Sequence, residues 1–441
     1  MPLLPHEMNL LAIARIKTYY FSPTGGTLQV ARYLAETLGR RLHAEVEYHS
    51  YTLPREREVL PQFVTDDVIL WATPVYAGRI PNKTLDYVRK AIRANGNPSV
   101  ALVTFGNRAY DNAMAELVGL MEDGGMKPVG AAAMVTRHTF SDTLGAGRPD
   151  TEDLAALNRF AEQVAENIQT GRTTPFIVPG EAHPEKYYTP LKTNNVPAGF
   201  LKAKPSCTPD RCTRCGRCME VCPMGSIGKE GGRPSFDGIC IKCQACRRIC
   251  PTGAIAFTDP EYLSHVAMIE RTFAAPKRPE FFCPGKLQIR QIRTDEIPQL
   301  DDFLYEAIFI PDGVPAPPKS IIENEDLQVY VRNFGKQPDD RCLVAECDGR
   351  VIGAVWTRVM NDYGHIADGI PSLAMSLYKE YRNKGIGTEM LKNLLQLLGK
   401  DGYRQVSLSV QKENYAVRMY RKVGFEVLKE TDEEYLMVCN L

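Results

Sequence analysis

The spacing of eight of the thirteen cysteines constrains this 441-residue chain more than any other feature. The run CxxCxxCxxxCP occurs twice, from Cys212 to Pro223 and from Cys240 to Pro251. Three thiolates at steps of three residues can hold one face of an iron–sulfur cube, while the fourth, past a turn, reaches a neighbouring cube. The sequence therefore predicts two 4Fe-4S clusters with crossed ligation. The predicted ligands are Cys212, Cys215, Cys218 and Cys250 for one cluster, and Cys240, Cys243, Cys246 and Cys222 for the other.

Other uses of these thiols fit the spacing less well. A structural zinc site is tetrahedral and would leave the third and fourth thiols of each run unused. Disulfide frameworks belong to small secreted domains and not to a long chain of mixed composition. The segment from about residue 203 to residue 258 resembles bacterial two-cluster ferredoxins, which favours the iron–sulfur prediction.

The remaining cysteines lie outside the motif. Cys207 is just upstream of it and is expected to be unligated, with a role as a substitute ligand left open. The other four carry no ligand spacing and are predicted to be small buried hydrophobes: Cys283, Cys342, Cys347 and Cys439.

The charge balance disfavours some classes of partner. The chain carries 53 Lys and Arg against 53 Asp and Glu, whereas binding to nucleic acid or to an anionic membrane usually needs a basic excess or patch. No stretch approaches the roughly 20 apolar residues of a membrane span, and the N-terminus has no basic segment before its short apolar stretch. We therefore expect no nucleic-acid or membrane partner. Because thiolate ligands need reduced cysteines, the predicted location is cytoplasmic.

Between Arg15 and about Ile168, short apolar runs alternate with helical periodicity, which is typical of parallel strands joined by crossover helices. The predicted strands are 16–21, 68–73, 100–105 and 129–135, and the predicted helices are 28–38, 85–92, 113–121 and 154–168. The runs VILWAT and VALVTF are apolar without alternation, as expected for central strands covered on both faces. Trp71 lies inside the first run and is predicted to pack in the core.

A loop rich in hydroxyls and glycines follows the first predicted strand. Its residues are Ser22, Pro23, Thr24, Gly25, Gly26 and Thr27, and a helix follows at once. Free amides at a helix N-terminus can hold a phosphate, and the absence of lysine suits a monoester held by neutral donors. The loop matches neither GxGxxG nor GxxxxGK[ST], which disfavours dinucleotide and ATP sites. Strand, SPTGGT and helix together resemble the FMN-phosphate loop of flavodoxins.

The flavodoxin resemblance implies further FMN contacts at the next two strand ends, because these loops flank the isoalloxazine ring in flavodoxin-like folds. Tyr76 and Tyr110 are the candidates to stack on the ring, with ordinary half-buried loop aromatics as the alternative. Gly106 and Asn107 belong to the same loops. The order of a flavodoxin-like part and then a ferredoxin also resembles a bacterial family of fused flavodoxin and ferredoxin proteins.

A different pattern begins after Pro284. The predicted elements are a strand at 287–293, a helix at 296–308, a hairpin at 343–359 turning at Asp348 and Gly349, and strands at 373–378 and 406–410. A glycine loop leads from the strand at 373–378 into a helix, and its residues are Arg382, Asn383, Lys384, Gly385, Ile386, Gly387 and Thr388. The amides of this loop could hold a pyrophosphate, and Arg382 and Lys384 add positive charge.

The RxxGxG pattern in this loop resembles the GNAT superfamily of N-acetyltransferases, in which it grips the pyrophosphate of acetyl-CoA. The later residues Asn414, Ala416, Tyr420, Gly424 and Phe425 are similar to the NxxAxxxYxxxGF segment of that family. The resemblance implies that Asn414 faces the cofactor and that Tyr420 is the general acid for the departing CoA thiolate. The alternative for Tyr420 is a core aromatic.

The same resemblance implies an oxyanion hole, in which the backbone amide of Leu377 or Tyr378 meets the thioester carbonyl. The general base stays unassigned. Asp368 and Glu306 are candidates, although a solvated or substrate-binding carboxylate is the favoured interpretation of each. Lys379 stands where many relatives carry proline, which should change the entry to the loop more than the chemistry.

These patterns predict an α/β multidomain chain. Its parts are a flavodoxin-like doubly wound parallel sheet (1–180), a linker and small α+β two-cluster ferredoxin domain (181–260), a second linker (261–285) and a GNAT α/β acetyltransferase domain (286–441). The predicted function is electron transfer through two 4Fe-4S clusters and FMN, fused to acetyl-CoA-dependent acetylation of an amine on a small molecule or protein.

No nicotinamide fingerprint is visible, so a redox partner protein is expected to supply the electrons. Two alternatives stay open. The iron–sulfur part could be a sensing platform that controls the acetyltransferase, or the chain could be an electron carrier with a non-catalytic CoA-binding domain.

Overall fold

The computed structural model describes residues 13–172, 176–311, 313–347 and 349–441. The chain forms two compact units, Met1–Pro284 and Gly285–Leu441. The predicted hairpin turn at Asp348 and the first part of the N-terminal apolar stretch lie outside the described residues.

The first unit begins with five parallel strands and four helices in alternation. The strands are β1 (Arg15–Tyr20), β2 (Glu45–Ser50), β3 (Asp67–Pro74), β4 (Pro98–Phe105) and β5 (Lys127–Val135). The helices are α1 (Gly26–Leu42), α2 (Asn82–Ala91), α3 (Ala113–Asp123) and α4 (Thr151–Gln169). The sheet has the order β2-β1-β3-β4-β5, so it is doubly wound. All the strands and helices predicted for this region are present, whereas β2 was not predicted, because its sequence EVEYHS is polar.

Both faces of this sheet are covered. Helices α1 and α4 bury Leu34 and Phe160 against one face, and α2 and α3 bury Val88 and Leu117 against the other. Strand β4 is buried along its whole length, as expected for a central parallel strand.

The ferredoxin-like segment forms short elements. They are β6 (Ser206–Cys207), α5 (Arg217–Glu220), β7 (Gly228–Glu230), β8 (Arg233–Ser235), α6 (Ala245–Ile249) and β9 (Ile255–Ala256). Strand β6 pairs antiparallel with β9, and β7 pairs with β8.

The predicted linker at 261–285 is wrong. Helix α7 (Pro260–Thr272) begins with Asp259 as its N-cap and Pro260 at its first position, which is where proline favours a helix. Strand β10 (Glu280–Phe282) then pairs antiparallel with β5, and Phe281 stacks on Phe160. The proline-rich composition of this stretch concealed two elements, and β10 covers the β5 edge of the first sheet.

The second unit is a seven-stranded sheet with helices on both faces. Its elements are β11 (Leu287–Gln291), α8 (Leu300–Ala307), α9 (Glu325–Gln328), β12 (Arg341–Cys347), β13 (Arg350–Arg358), β14 (Ser372–Leu377), α10 (Ile386–Lys400), β15 (Gln405–Gln411), α11 (Ala416–Lys422), β16 (Glu426–Glu430) and β17 (Glu434–Asn440). The strand order is β11-β12-β13-β14-β15-β17-β16. Pro298 lies in a 3-10 turn before α8, so the predicted helix at 296–308 is shorter than expected.

The central pair of this sheet is almost unpaired. Strands β14 and β15 run parallel and share the single register pair Ser372↔Ser407, whereas β13 and β14 pair along six residues. Beyond Ser372 the two strands therefore lack ladder bonds to each other, which leaves backbone amides available along β14.

Candidate functional site

The eight motif cysteines line two separate cavities. Each cavity collects three thiols from one run and the last thiol of the other run. One cavity, of about 400 Å³ including its open mouth, is lined by Cys212, Cys215, Cys218 and Cys250. The other, of about 420 Å³, is lined by Cys222, Cys240, Cys243 and Cys246. Four thiols around each space fit the thiolate donor set of a 4Fe-4S cluster. We call these spaces the first and second thiol cavities.

The backbone repeats itself in the two cysteine runs. Arg214 and Lys242, two residues after the first cysteine of each run, both have φ of 58°. Gly216 and Gln244, two residues further on, have φ of 79° and 65°. These left-handed residues turn the chain so that helices α5 and α6 follow at once. Of these four residues, Gly216 alone indicates a left-handed backbone from the sequence, since non-glycine residues rarely adopt a positive φ.

The second thiol cavity lies against the carboxyl end of the doubly wound sheet. Ile241 packs on the same core as Tyr76, and Arg57 Nη2 donates to the carbonyl of Pro223 at 2.7 Å. Arg248 donates to the carbonyl of His138, after β5, at 3.0 Å. Sequence reasoning missed these anchoring arginines because their acceptors are backbone atoms more than a hundred residues away.

Burial distinguishes the thiols of the two cavities. Cys243 and Cys246 are buried, and burial raises the pKa of Cys246 to about 12, whereas Cys215 is exposed. Cys207 lies beside Cys212, and partial burial together with a hydrogen bond to the Cys212 thiol raises the pKa of Cys207 to about 11. Of the four other cysteines, Cys342 and Cys439 are buried, while Cys283 and Cys347 are only partly so.

The SPTGGT loop has an open mouth at the start of α1. Thr24 and Gly25 are exposed, Gly25 has φ of 89°, and the first turn of α1 has no acidic residue. Ser22 Oγ accepts from the Leu28 amide at 3.0 Å. These features fit a phosphate held by backbone amides.

Two side chains of the predicted FMN site, the Thr27 hydroxyl and the Tyr110 ring, make contacts inside the protein. Thr27 Oγ1 lies 2.8 Å from Thr104 Oγ1 in the buried interior, so its hydroxyl faces the sheet. Tyr110 is 7% exposed, and its hydroxyl donates to Glu280 at 2.7 Å. The prediction that Tyr110 stacks on a flavin ring is therefore wrong, because its ring packs in the core.

The loop after β4 is held by the chain itself. Asn107 Nδ2 donates to the carbonyls of Phe273 and Ala275, at 2.6 and 3.0 Å, so its side chain is not available to a flavin. A Cβ on Gly106 would lie 2.4 to 2.7 Å from His138 atoms, which explains the glycine by close packing. The predicted FMN roles of Gly106 and Asn107 do not match these positions.

Tyr76 keeps a position that suits a redox site. It is half-buried at the end of β3, and its ring lies 6.4 Å from that of Phe21 in an edge-to-face arrangement. Burial, followed by the nearby Cys243 and Cys240 thiols, raises the pKa of Tyr76 well above its usual range. Tyr76 thus stands between the sheet and the second thiol cavity.

In the second unit, three elements converge at the glycine loop. Gly385 has φ of 82° and precedes α10, whose N-terminus has no side-chain cap. A Cβ on Gly387 would lie 3.4 Å from Met375 of β14 and 3.5 Å from Met419 of α11. Lys384 is half-buried beside the exposed Gly385, and Ile386 and Thr388 form the first turn. The free amides and the positive end of α10 fit a pyrophosphate.

Arg382 has a structural role in this loop. Its Nε donates to the Leu377 carbonyl at 2.8 Å, and its Nη2 donates to Glu306 Oε2 at 2.6 Å. Arg382 therefore ties the loop to β14 and α8. Because Glu306 is held in this ion pair, it does not suit the role of general base. Asp368 is fully exposed, so it is a solvated carboxylate.

The backbone selects one of the two oxyanion candidates. The Tyr378 amide donates to the Ile352 carbonyl at 3.1 Å, so it is used in the ladder with β13. Successive amides of a strand point to opposite sides. The Leu377 amide therefore points toward β15, where the strands have separated.

Asn414 lies just before α11, and Tyr420 lies within that helix. Tyr420 is 8% exposed and packs edge-to-face on Phe425 at 5.7 Å. Burial raises its pKa above the usual range for tyrosine, and the phenol is protonated at neutral pH. Asn414 Oδ1 accepts from the Ala416 amide at 2.9 Å and so caps α11.

Comparisons with known proteins support two of the three predicted parts. A family model described as the acetyltransferase (GNAT) family matches residues 305–425, and one described as a 4Fe-4S dicluster domain matches residues 211–255. No flavodoxin family model matches the chain. Among the described residues, no helix combines the length and apolar character that crossing a bilayer requires.

Several individual proteins are similar to the second unit. N-alpha-acetyltransferase 50 of Danio rerio is 36% identical over 86 residues, which are 19% of this chain and 49% of that protein. N-acetyltransferase family 8 member 7 of Mus musculus is 31% identical over 112 residues, or 25% of this chain and 49% of that protein. The chain spans about half the length of these curated relatives.

Solved structures are similar over the same part of the chain. The PaiA N-acetyltransferase of Thermoplasma acidophilum, solved in complex with coenzyme A, is 19% identical, with coverage of 35% of this chain and 99% of that one and a TM-score of 0.29. A GNAT-family acetyltransferase of Streptococcus pneumoniae is 20% identical, with 35% and 100% coverage and a TM-score of 0.27. From the two family matches, the chain contains a GNAT acetyltransferase domain and a 4Fe-4S dicluster domain.

Proposed function

We propose that the chain transfers electrons through two 4Fe-4S clusters and an FMN, and that its second unit acetylates an amine with acetyl-CoA. The observation that carries the redox part is the sorting of eight thiols into two cavities, each with the last thiol of the opposite run. The observation that carries the transferase part is the convergence of β14 and α11 on the glycine loop, where the side chains of Met375, Leu377 and Met419 surround Gly387.

The proposed FMN domain is flavodoxin-like. The strand order 2-1-3-4-5 is that of flavodoxin-like folds, in which FMN binds at the carboxyl ends of the strands. Gly26 and Thr27 would hold the phosphate through their amides, while the Gly25 amide donates to the Ser22 carbonyl at 3.3 Å and turns the loop, and Thr24 is exposed beside it. Of the predicted ring contacts, Tyr76 is the one that we retain.

When bound, each cluster can exchange one electron and the flavin one or two. The protein would fix the distances between these groups. Tyr76, packed beside Cys240 and Cys243, would form the wall between the second thiol cavity and the flavin. Arg248, which binds the loop after β5, would keep that wall in place. We place the protein in the cytoplasm, since thiolate ligation needs reduced cysteines.

The proposed acetyl transfer uses groups of the second unit alone. The amides of Gly385 and Gly387 and the Lys384 ammonium would hold the pyrophosphate of acetyl-CoA. The Leu377 amide would donate a hydrogen bond to the oxyanion that develops as the amine attacks the thioester carbonyl. Tyr420, whose phenol is protonated at neutral pH, would give its proton to the departing CoA thiolate, and the proton released by the attacking amine would pass through solvent and restore the phenol. Asn414 would shape the loop that faces the cofactor. The acceptor is an amine of a small molecule or a protein.

Anaerobic purification of the full chain, followed by metal analysis and an absorption spectrum, tests the redox part. We expect about eight irons and one flavin per chain. Eight irons without flavin would contradict the FMN proposal while leaving the two clusters in place. Zinc in place of iron would contradict both proposed clusters.

Replacement of Tyr420 by Phe tests the transferase mechanism. We expect kcat for acetyl-CoA-dependent acetylation to fall about 100-fold, because a positioned acid contributes about that much, while KM for acetyl-CoA changes less than about 2-fold. Tyr415→Phe is the matched control, since Tyr415 is next to the same helix and 53% exposed. Unchanged kcat in Tyr420→Phe would show that Tyr420 is a core aromatic only.

A further inference from the structure

The two thiol cavities differ in their surroundings. Arg214 and Arg217 line the first cavity, and both are exposed, as is Cys215. Every residue that lines the second cavity is uncharged, and Cys243 and Cys246 are buried there. The first cavity therefore has an exposed thiol and positive charge at its rim, while the second has an uncharged lining and no exposed thiol.

The basic residues of this segment divide in the same way. Arg247 pairs with Asp142 at 3.0 Å, and Arg248 donates to backbone carbonyls of the loop after β5, so both are used in holding the segment to the sheet. At the first cavity, Arg211 donates to the Thr252 carbonyl, and neither Arg214 nor Arg217 forms an ion pair with any described carboxylate within 4.0 Å.

The net charge of the segment is positive although the whole chain is neutral. Residues 202–258 contain ten Lys and Arg and four Asp and Glu. Two of the four acids, Asp210 and Glu220, lie in the same stretch as the three arginines and are exposed. With these two acidic residues counted, the segment still has more basic than acidic side chains.

We propose that the rim of the first thiol cavity, formed by Arg214 and Arg217 with Arg211 beside it, docks an acidic one-electron carrier protein. This inference rests on the proposed iron–sulfur function and adds to it the surface and the kind of partner. One electron passes between the partner's redox centre and the cluster of the first cavity. One side is oxidised as the other is reduced, and no bond or proton is transferred.

Two properties of the rim favour a carrier protein over other anions. Electron exchange requires close approach of the two centres, and the exposed Cys215 offers that approach only here among the eight motif thiols, all of which the structure describes. Opposite charges around such a point accelerate and orient the encounter. The positive charge would also attract an anionic membrane or a nucleic acid, but neither of these has a redox centre that needs access to the exposed thiol.

A test uses the full chain, purified anaerobically with its iron, and a reduced acidic plant-type [2Fe-2S] ferredoxin as the probe. Stopped-flow absorbance gives the second-order rate constant of electron transfer from about 20 to about 300 mM NaCl. We expect the wild-type rate constant to fall about 10-fold over this range. The double variant Arg214→Glu/Arg217→Glu should be about 10-fold slower at low salt and nearly independent of salt.

The matched control is Lys83→Glu/Lys90→Glu, which makes the same charge change at two exposed positions of α2 and should stay within about 2-fold of wild type. Equal slowing in both double variants would overturn the proposal, and so would a wild-type rate constant that does not depend on salt. The proposal would also be overturned if the Arg214→Glu/Arg217→Glu variant lost binding to phosphatidylserine vesicles while its rate of electron transfer from ferredoxin stayed unchanged.

Iron content and reduction by dithionite separate this inference from the proposed function. Both should be the same in all variants. If the Glu variant loses iron, Arg214→Gln/Arg217→Gln removes the charge without reversing it and should show an intermediate slowing; a Gln variant at wild-type rate would overturn the docking surface. Wild-type protein without iron would contradict the proposed function itself.

Discussion

At the scale of single residues, the last cysteine of each run has an unusual task. Cys250 lies with Cys212, Cys215 and Cys218, and Cys222 lies with the three thiols of the second run. Each run therefore contributes to both cavities. Loss of one terminal cysteine should damage the cavity of the other run and not its own.

Substitution of Cys250 by Ala tests this crossing. We expect about four irons per chain to remain, and the electron paramagnetic resonance spectrum of the reduced protein to match that of Cys215→Ala, because both variants lose the same cluster. Cys207→Ala is the control and should retain about eight irons. A spectrum that matches that of Cys243→Ala would show uncrossed ligation.

The residue scale also shows where sequence reasoning succeeds. The thiol spacing and the two glycine loops are local patterns, so the residues around both cavities and both helix N-termini could be read from the sequence. The roles of Asn107 and Tyr110 could not, because their partners, Phe273 and Glu280, lie 166 and 170 residues away. Nothing local distinguishes a loop asparagine that binds a flavin from one that binds distant backbone.

At the scale of elements, the loop after β5 joins the sheet to the ferredoxin-like segment at His138, a half-buried histidine whose carbonyl accepts from Arg248. His138 Nδ1 accepts from the Phe140 amide at 3.1 Å. Burial, reinforced by His265, Arg108 and Arg248, lowers the pKa of His138 to about 3. In the unfolded chain its pKa is about 6.5. The neutral form stabilises the fold above that pH, and this contribution declines as the pH falls below it.

A pH series of urea unfolding measures this effect. Between pH 6.5 and 5.5, the free energy of unfolding of wild type should fall by up to about 1.4 kcal/mol more than that of His138→Gln, since the unfolded chain takes up a proton that the folded chain excludes. Loss of the visible cluster absorbance reports unfolding of the first unit. His183→Gln, an exposed histidine, should follow wild type, and parallel curves for wild type and His138→Gln would refute the prediction.

Amino-acid composition did not predict the secondary structure of one stretch of the chain. The proline-rich stretch after Pro260 was predicted to be a linker, yet it forms α7 and β10. Pro260 occupies the first turn of a helix, where its missing amide has no partner to lose. The pairing of Glu280–Phe282 with β5 is a non-local contact that three residues of sequence do not encode. By contrast, β3 and β4 were predicted because an unbroken apolar run implies burial on both faces.

At the scale of the whole molecule, the chain divides into two compact units between Pro284 and Gly285. The redox and acyl-transfer groups lie in different units and share no intermediate. Redox control of acetylation stays a hypothesis, motivated by the covalent linkage alone. Acetyl-CoA turnover with the clusters oxidised and then reduced checks it, and equal rates would exclude it.

The division into two units predicts how ligands affect stability. Acetyl-CoA at about 100 times its Kd should stabilise the unit of residues 285–441 by about 2.7 kcal/mol. Scanning calorimetry should show one transition moving to higher temperature, while the temperature at which cluster absorbance is lost stays constant. Acetate at the same concentration lacks the pyrophosphate and should move neither. A shift of both transitions would mean that the units unfold together.

Strand β10 has a consequence for the kinetics inside the first unit. The chain leaves the sheet after α4, forms both thiol cavities and returns to pair with β5, so the ferredoxin-like segment is attached at both of its ends. A carrier on a flexible tether must diffuse to its target, and solvent viscosity slows that search. Here no search is needed. We expect the rate of electron exchange between the proposed cluster of the second cavity and the proposed FMN to be the same in glycerol solutions of any viscosity.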